Sequence, residues 1–138
     1  MEQKTLRYIS AKMKNIDICM FTTKSGRGRL LSRPMSNNGD VKYDGNSFFF
    51  TFQESQKVKD IQEDNAVNLG FTTKDNMYIA VSGKAKLIKS KTVMQEHWVD
   101  SLNEWFKDGV DTPGIVLIQV KANKITYWQK MKQGEIKL

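Results

Sequence analysis

Thr51, Ser55 and Lys57 follow directly on the run Ser47-Phe-Phe-Phe-Thr51. Two hydroxyls and an ammonium at this spacing can hold a phosphate if a helix starts beside them with its free backbone N–H groups. Val58 and Ile61, three apart, begin an amphipathic pattern, so a short helix is expected over about 54–63, capped by Thr51 or Ser55. Phe48, Phe50 and Phe52 alternate with Phe49 and Thr51, which puts the two sets on opposite faces of one strand. A core strand leading into an ordinarily capped helix would leave the same pattern. The residues alone do not separate the two readings.

The other chemistry-bearing side chains are sparse. His97, the single histidine, lies between Glu96 and Trp98 on an expected helix. With no second His and no cysteine pair, no metal site is expected and a surface or packing role is. Cys19, the single cysteine, falls in a strand with no neighbouring base and reads as a small buried hydrophobe. Glu54, Asp60 and Glu63 read as a solvated helix face balancing Lys57 and Lys59. No nucleophile elbow, P-loop or dinucleotide glycine fingerprint is present; Gly26-Arg-Gly28 is too short to be one. The Phe48, Phe50, Phe52 row could stack bases, but it reads better as a core face packed against Leu69 and Val81. No acid–base pair stands ready, so any enzymatic chemistry would come from a cofactor.

These residues sit in 138 positions, enough for one domain, 1–138, around one core. Lys plus Arg exceed Asp plus Glu by 22 to 15, a formal charge of +7 that favours anionic partners. No apolar run reaches the ~20 residues of a membrane helix. Met1-Glu-Gln-Lys-Thr-Leu-Arg-Tyr8 lacks the apolar centre of a signal peptide. With one cysteine, the expectation is a reducing, cytoplasmic setting.

The positioning elements follow from periodicity. Leu6, Ile9, Met13 and Ile16 give a helix over about 2–14. Strands are expected at Asp17–Thr23 and Arg29–Arg33, joined by the turn Lys24-Ser-Gly-Arg-Gly28. Pro34, lacking a ladder donor, belongs at a sheet edge or a break in pairing. Turns at Asn37-Asn-Gly39 and Asp44-Gly-Asn46 flank a short Val41–Tyr43 segment. Beyond the aromatic strand and its helix come strands at Ala66–Thr72 and Met77–Ile88, with Gly83 marking a bulge. Met94, Trp98, Leu102 and Trp105 predict one helix over 91–106. Strands at Ile115–Lys121 and Ile125–Gln129 close the domain, and a basic tail, 131–138, is expected to be mobile. Roughly seven strands in short hairpins, with three helices not alternating with them, describe a mainly β (α+β) fold: an antiparallel barrel with helices outside. Its centre has room for side chains only, so a ligand belongs on the outside, where two subunits meet.

Ser32-Arg-Pro-Met35, Val41-Lys-Tyr-Asp-Gly45, Phe48-Phe-Phe-Thr51, Ser55-Gln-Lys57, Val81-Ser-Gly-Lys-Ala85 and Trp105-Phe-Lys-Asp-Gly109 occur in this order. Together they resemble the general stress protein branch of the pyridoxamine 5'-phosphate oxidase-like family, the flavin-binding split barrels, from about Leu6 to Trp128. The resemblance implies a six- or seven-stranded split barrel that pairs as a homodimer, with flavin mononucleotide (FMN), or the longer FAD, between subunits. It places Arg33, Thr51, Ser55 and Lys57 around the flavin phosphate. It lays the backbone at Pro34-Met35 and Phe49-Phe50 against the ring system and brings Lys84 to the phosphate side or the pyrimidine edge. It offers Trp105 and Trp128, from the second subunit, as a cover for the ring.

Two departures bear on function. Many members, above all the oxidases, carry Arg before the lysine of the turn; here Gln56 stands there. The oxidases also carry a C-terminal Arg-x-His that grips the pyridoxal substrate, and Met131-Lys-Gln-Gly-Glu-Ile-Lys-Leu138 has none, which argues against pyridoxamine phosphate oxidation. The implied function is a flavin-dependent oxidoreductase of unnamed substrate, or a flavin-holding stress protein. Two alternatives stay open: a barrel binding single-stranded nucleic acid, and a related split barrel holding haem or a deazaflavin.

Overall fold

Period-two alternation and turn chemistry build seven strands and three α-helices, seen here in a computed structural model that describes residues 4–36 and 42–138. The expected turn at Asn37-Asn-Gly39 and the start of the Val41–Tyr43 segment lie outside the described residues. The elements run α1 (Leu6–Met13), β1 (Ile18–Lys24), β2 (Leu30–Ser36), β3 (Asn46–Phe52), α2 (Gln56–Glu63), β4 (Ala66–Thr72), β5 (Tyr78–Ile88), α3 (Lys91–Glu96), β6 (Ile115–Gln129) and β7 (Lys132–Lys137). All strand pairs are antiparallel, in the order β2-β1-β4-β5-β6-β3, with β7 on the far half of β6. β2 and β3 are the two ends of this path, and no ladder joins them. Pro34, in β2 opposite Met20 of β1, lies on a strand paired on one side only, where its missing N–H is tolerated.

β6 is one long strand where two were expected. Its first half pairs with β3 and its second half with β7, both across from β5. The pairing with β5 shifts register between Ser82 and Gly83, the bulge anticipated at Gly83. A Cβ there would stand 2.4 Å from the Lys121 carbonyl oxygen, so only glycine lets the strands come this close. The segment expected to be mobile, 131–138, instead supplies β7, through a tight turn in which Lys130 and Met131 both take positive φ.

Two apolar clusters share the aromatic strand. Inside the barrel, Phe49 packs edge-on against Phe21, in a cluster with Ile9, Leu69, Val81, Ile118 and Ile125. On the outer side, Phe50 and Leu117 pack with Met94, Leu102, Phe106 and Ile115. Ile115 to Ile118 are consequently buried on both faces of β6. Each fully buried side chain of this kind contributes about 1.5–3 kcal/mol. The phenylalanine row therefore does not face Leu69 and Val81, as expected. Those residues meet Phe49, and the Phe48–Phe52 face lies under the segment that follows β5.

That segment is not one helix. α3 stops at Glu96, His97 caps it, and a 3-10 turn over Asp100–Glu104 follows. Trp98 bonds Asn103 through Nε1 (3.0 Å) and packs edge-on to Phe50 and Phe106. Met94, Trp98 and Leu102 reach the same cluster through a break in the helix, so spacing alone mimicked continuity. Among the described residues, no helix is long and apolar enough to cross a membrane.

Candidate functional site

β2 and β3, the unpaired strand ends, flank a groove of about 380 Å³ lined by Ile18, Pro34, Met35, Ser36, Phe50, Thr51, Phe52, Leu102, Trp105 and Phe106. None of these side chains is charged. Phe50 and Thr51 come from the end of β3, Pro34 and Met35 from β2, and Trp105, 75% exposed, from the end of the 3-10 turn.

The charged groups gather beside Thr51. Lys57, in the first turn of α2, donates from Nζ to Thr51 Oγ1 (3.1 Å). Arg33 donates from Nη1 to Thr23 Oγ1 (2.8 Å) and to the Phe21 carbonyl oxygen (3.3 Å). Burial, then the nearby Arg33 charge, holds the Lys57 ammonium below its ordinary value. Burial also lowers the Arg33 guanidinium, partly opposed by Asp60. Two partly buried cations, one of them disfavoured by the other, make a site ready for further negative charge. Ser55 is the N-cap of α2, yet its side chain makes no capping bond. Its Oγ is one of three buried side-chain oxygens without a partner among the described residues, with Tyr43 Oη and Ser47 Oγ. An unmet hydroxyl at a helix start, beside a lysine and an arginine, fits an anion with several acceptor oxygens.

Asp60 was missed. Expected on a solvated face, it is 1% exposed, while Glu54 and Glu63 on either side are exposed. Its Oδ2 accepts from Thr23 Oγ1 (2.8 Å) and stands 3.8 Å from Arg33 Nη2, and its Oδ1 accepts from Gln56 Nε2 (2.9 Å). Gln56 thus serves the buried carboxylate and adds no cation to the site. The signal available in the sequence was position: Asp60 falls between Val58 and Ile61, on the inward side of α2.

The structure brings Arg33, Thr51, Ser55 and Lys57 to one end of the groove and Pro34, Met35, Phe50 and Trp105 to its walls. Phe49 does not line the groove, its ring being in the barrel core. Lys84 and Trp128 are not brought to this groove. Lys84 is exposed on the outer face of β5, opposite Ala66 and Lys121. Trp128 lies on β6 opposite Tyr78 and Gln133. His97 stacks on Phe48 with ring centroids 3.7 Å apart, a packing role that also covers one ring of the phenylalanine row. Cys19 is buried and its thiol is pushed up to about 12 by that burial, with a smaller push from Asp17, so it is unreactive.

The family model described as "Pyridoxamine 5'-phosphate oxidase like" matches residues 4–138. Protein bli-3 of Neurospora crassa is 30% identical over 125 residues, covering 82% of this chain and 59% of that protein, so the chain spans about three-fifths of the length of this relative. General stress protein 26 of Bacillus subtilis is 29% identical over 108 residues, covering 75% of this chain and 74% of that one. Among solved structures, the general stress FMN/FAD binding protein from Xanthomonas citri superposes with a TM-score of 0.75 at 18% identity, covering 90% of this chain and 87% of that one.

Proposed function

Because the chain belongs to the pyridoxamine 5'-phosphate oxidase-like family, we propose that it binds a flavin, with the phosphate between Arg33 and Lys57 and the ring system along the apolar groove. The carrying observation is the pair of cations with lowered pKa beside the unpartnered Ser55 hydroxyl. Arg33 would make forked contacts to phosphate oxygens and Lys57 a point-charge contact, with Ser55 Oγ and the N–H groups at the start of α2 as further donors. Pro34 and Met35 on one side, with Phe50 and Thr51 on the other, would sandwich the ring and keep water from it. A bound flavin supplies hydride and single-electron transfer. The chain's contribution is to bind it, orient it and dry its surroundings. A flavin-dependent oxidoreductase, or a flavin-holding protein of the stress response, is the function these features support, in a cytoplasmic setting.

The groove is open on one side, and Ile18 on its wall continues into an exposed outer face of the sheet carrying Met20, Tyr78 and Trp128. This continuity supports a homodimer in which the second copy covers both that face and the groove. In such a pair, Trp128 and Lys84 would reach the partner's flavin, although neither lines the groove of its own chain.

The test is uptake of FMN followed by quenching of flavin fluorescence. Arg33→Ala and Lys57→Ala are each expected to weaken binding by about 1–3 kcal/mol, the scale of a charge-assisted bond. No uptake by the parent chain, or unchanged affinity in both variants, would overturn the proposal.

A further inference from the structure

Beyond the phosphate cradle, on the side away from the apolar groove, lies a second cavity of about 390 Å³, lined by Ser25, Arg27, Arg29, Leu31, Gln56, Asp60 and Glu63. It shares Asp60 and Gln56 with the cradle, so the two are adjacent across one buried carboxylate. We infer that Arg27 and Arg29 form a second anion subsite that takes the distal phosphate and adenylate half of a dinucleotide flavin, a reading that rests on the flavin site proposed above.

Four features carry it. The turn that bears the two arginines is fixed rather than loose. Ser25 N–H donates to the Arg29 carbonyl oxygen (2.9 Å), and Ser25 Oγ accepts from the N–H groups of Arg27 (3.3 Å) and Arg29 (3.2 Å). Gly26 N–H donates to Glu63 Oε2 (2.6 Å), which fastens the turn to α2, the helix whose start forms the cradle. Among the described residues neither arginine side chain has an acidic partner. Arg29, one residue before β2, and Leu31 within it also continue the alternation that carries Arg33. Arg29 and Arg33 project to the same side about 13 Å apart along the extended chain, and their long side chains can converge on a diphosphate lying between them. Finally, the cradle and cavity together set Arg27, Arg29, Arg33 and Lys57 against the carboxylates Asp60 and Glu63. The surplus positive charge matches a pyrophosphate bridge.

The experiment compares FAD and FMN affinities, by fluorescence quenching, for the parent chain and the Arg27→Ala/Arg29→Ala double variant. Both positions are exposed, and a thermal melt checks that the variant folds. The parent is expected to bind FAD at least as tightly as FMN. The double variant is expected to lose tenfold or more in FAD affinity while FMN changes less than threefold. Arg27→Lys/Arg29→Lys, which keeps the charges but not the forks, is expected to fall between. Equal losses for both flavins, no loss for either, or a parent that binds FAD tenfold more weakly than FMN would overturn the subsite while leaving the flavin site standing. If neither flavin binds the parent, both readings fail together.

Discussion

Asp60→Ala is the substitution whose consequences follow most directly from the structure. The carboxylate is 1% exposed, accepts from Thr23 on β1 and Gln56 on its own helix, and pairs with the Arg33 charge on β2. Removing it strands the Thr23 hydroxyl and the Gln56 amide and leaves Arg33 without a counter-charge. Breaking a fully buried pair costs about 3–5 kcal/mol. The Arg33 side chain keeps 21% of its exposure and sits 3.8 Å from the carboxylate, so water recovers part of that, and about 3 kcal/mol is expected. Asp60→Asn keeps the shape and one acceptor and is expected to cost about half as much, the scale of a bond to a charged group. Urea unfolding at fixed protein concentration reads both as a shifted midpoint with an unchanged slope. Arg33 loses its counter-charge in either variant, and its partner Thr23 loses the carboxylate that holds it, so the advantage of FMN over riboflavin should change, which a plain loss of stability would not produce. An Asp60→Ala midpoint within about 0.5 kcal/mol of the parent, the range of ordinary surface changes, would refute the reasoning.

Lys57 and Arg33 repel each other in the flavin-free protein, so Lys57→Gln should raise its melting temperature while weakening FMN binding. The lysine's folded value lies below 10.5, so the folded chain binds fewer protons than the unfolded one between that lowered value and 10.5. The parent's stability should therefore rise across this alkaline window, and the rise should flatten in Lys57→Gln; a variant that melts lower with the rise intact speaks against it. Gly83→Ala drives a Cβ to 2.4 Å from the Lys121 carbonyl and should cost about 1–3 kcal/mol by forcing β5 from β6, which chemical denaturation checks. A loss below that range would mean that the strands separate without resistance.

Much of this was legible because it depended on local periodicity. Phe48 to Phe52 alternate, and the strand carrying them is β3; Val58 and Ile61 mark the inward face of α2; Gly83 marks the bulge. Where long-range packing decides, the sequence misled. Met94, Trp98 and Leu102 keep helical spacing across a break in the helix because all three serve one cluster outside β3. Asp60 was grouped with the exposed Glu54 and Glu63 although its place between Val58 and Ile61 turns it inward, and only the fold reveals that Arg33, from a distant strand, lies opposite. The tail is polar and basic, yet Gly134 is buried under the paired hairpin: a Cβ there would overlap the Tyr127 ring. Trp128 and Trp105 were equivalent in the sequence; the 3-10 turn brings Trp105 to the groove, while the sheet order places Trp128 on β6 opposite Tyr78 and Gln133.

The measurement that bears most directly on the account is a paired titration of the purified chain with FMN and with riboflavin, which differ by the phosphate alone, repeated with the Arg33→Ala/Lys57→Ala double variant. FMN is expected to bind the parent at least tenfold more tightly than riboflavin, and the double variant is expected to bind the two alike. A parent indifferent to the phosphate, or a double variant that keeps the full preference, would contradict the central claim.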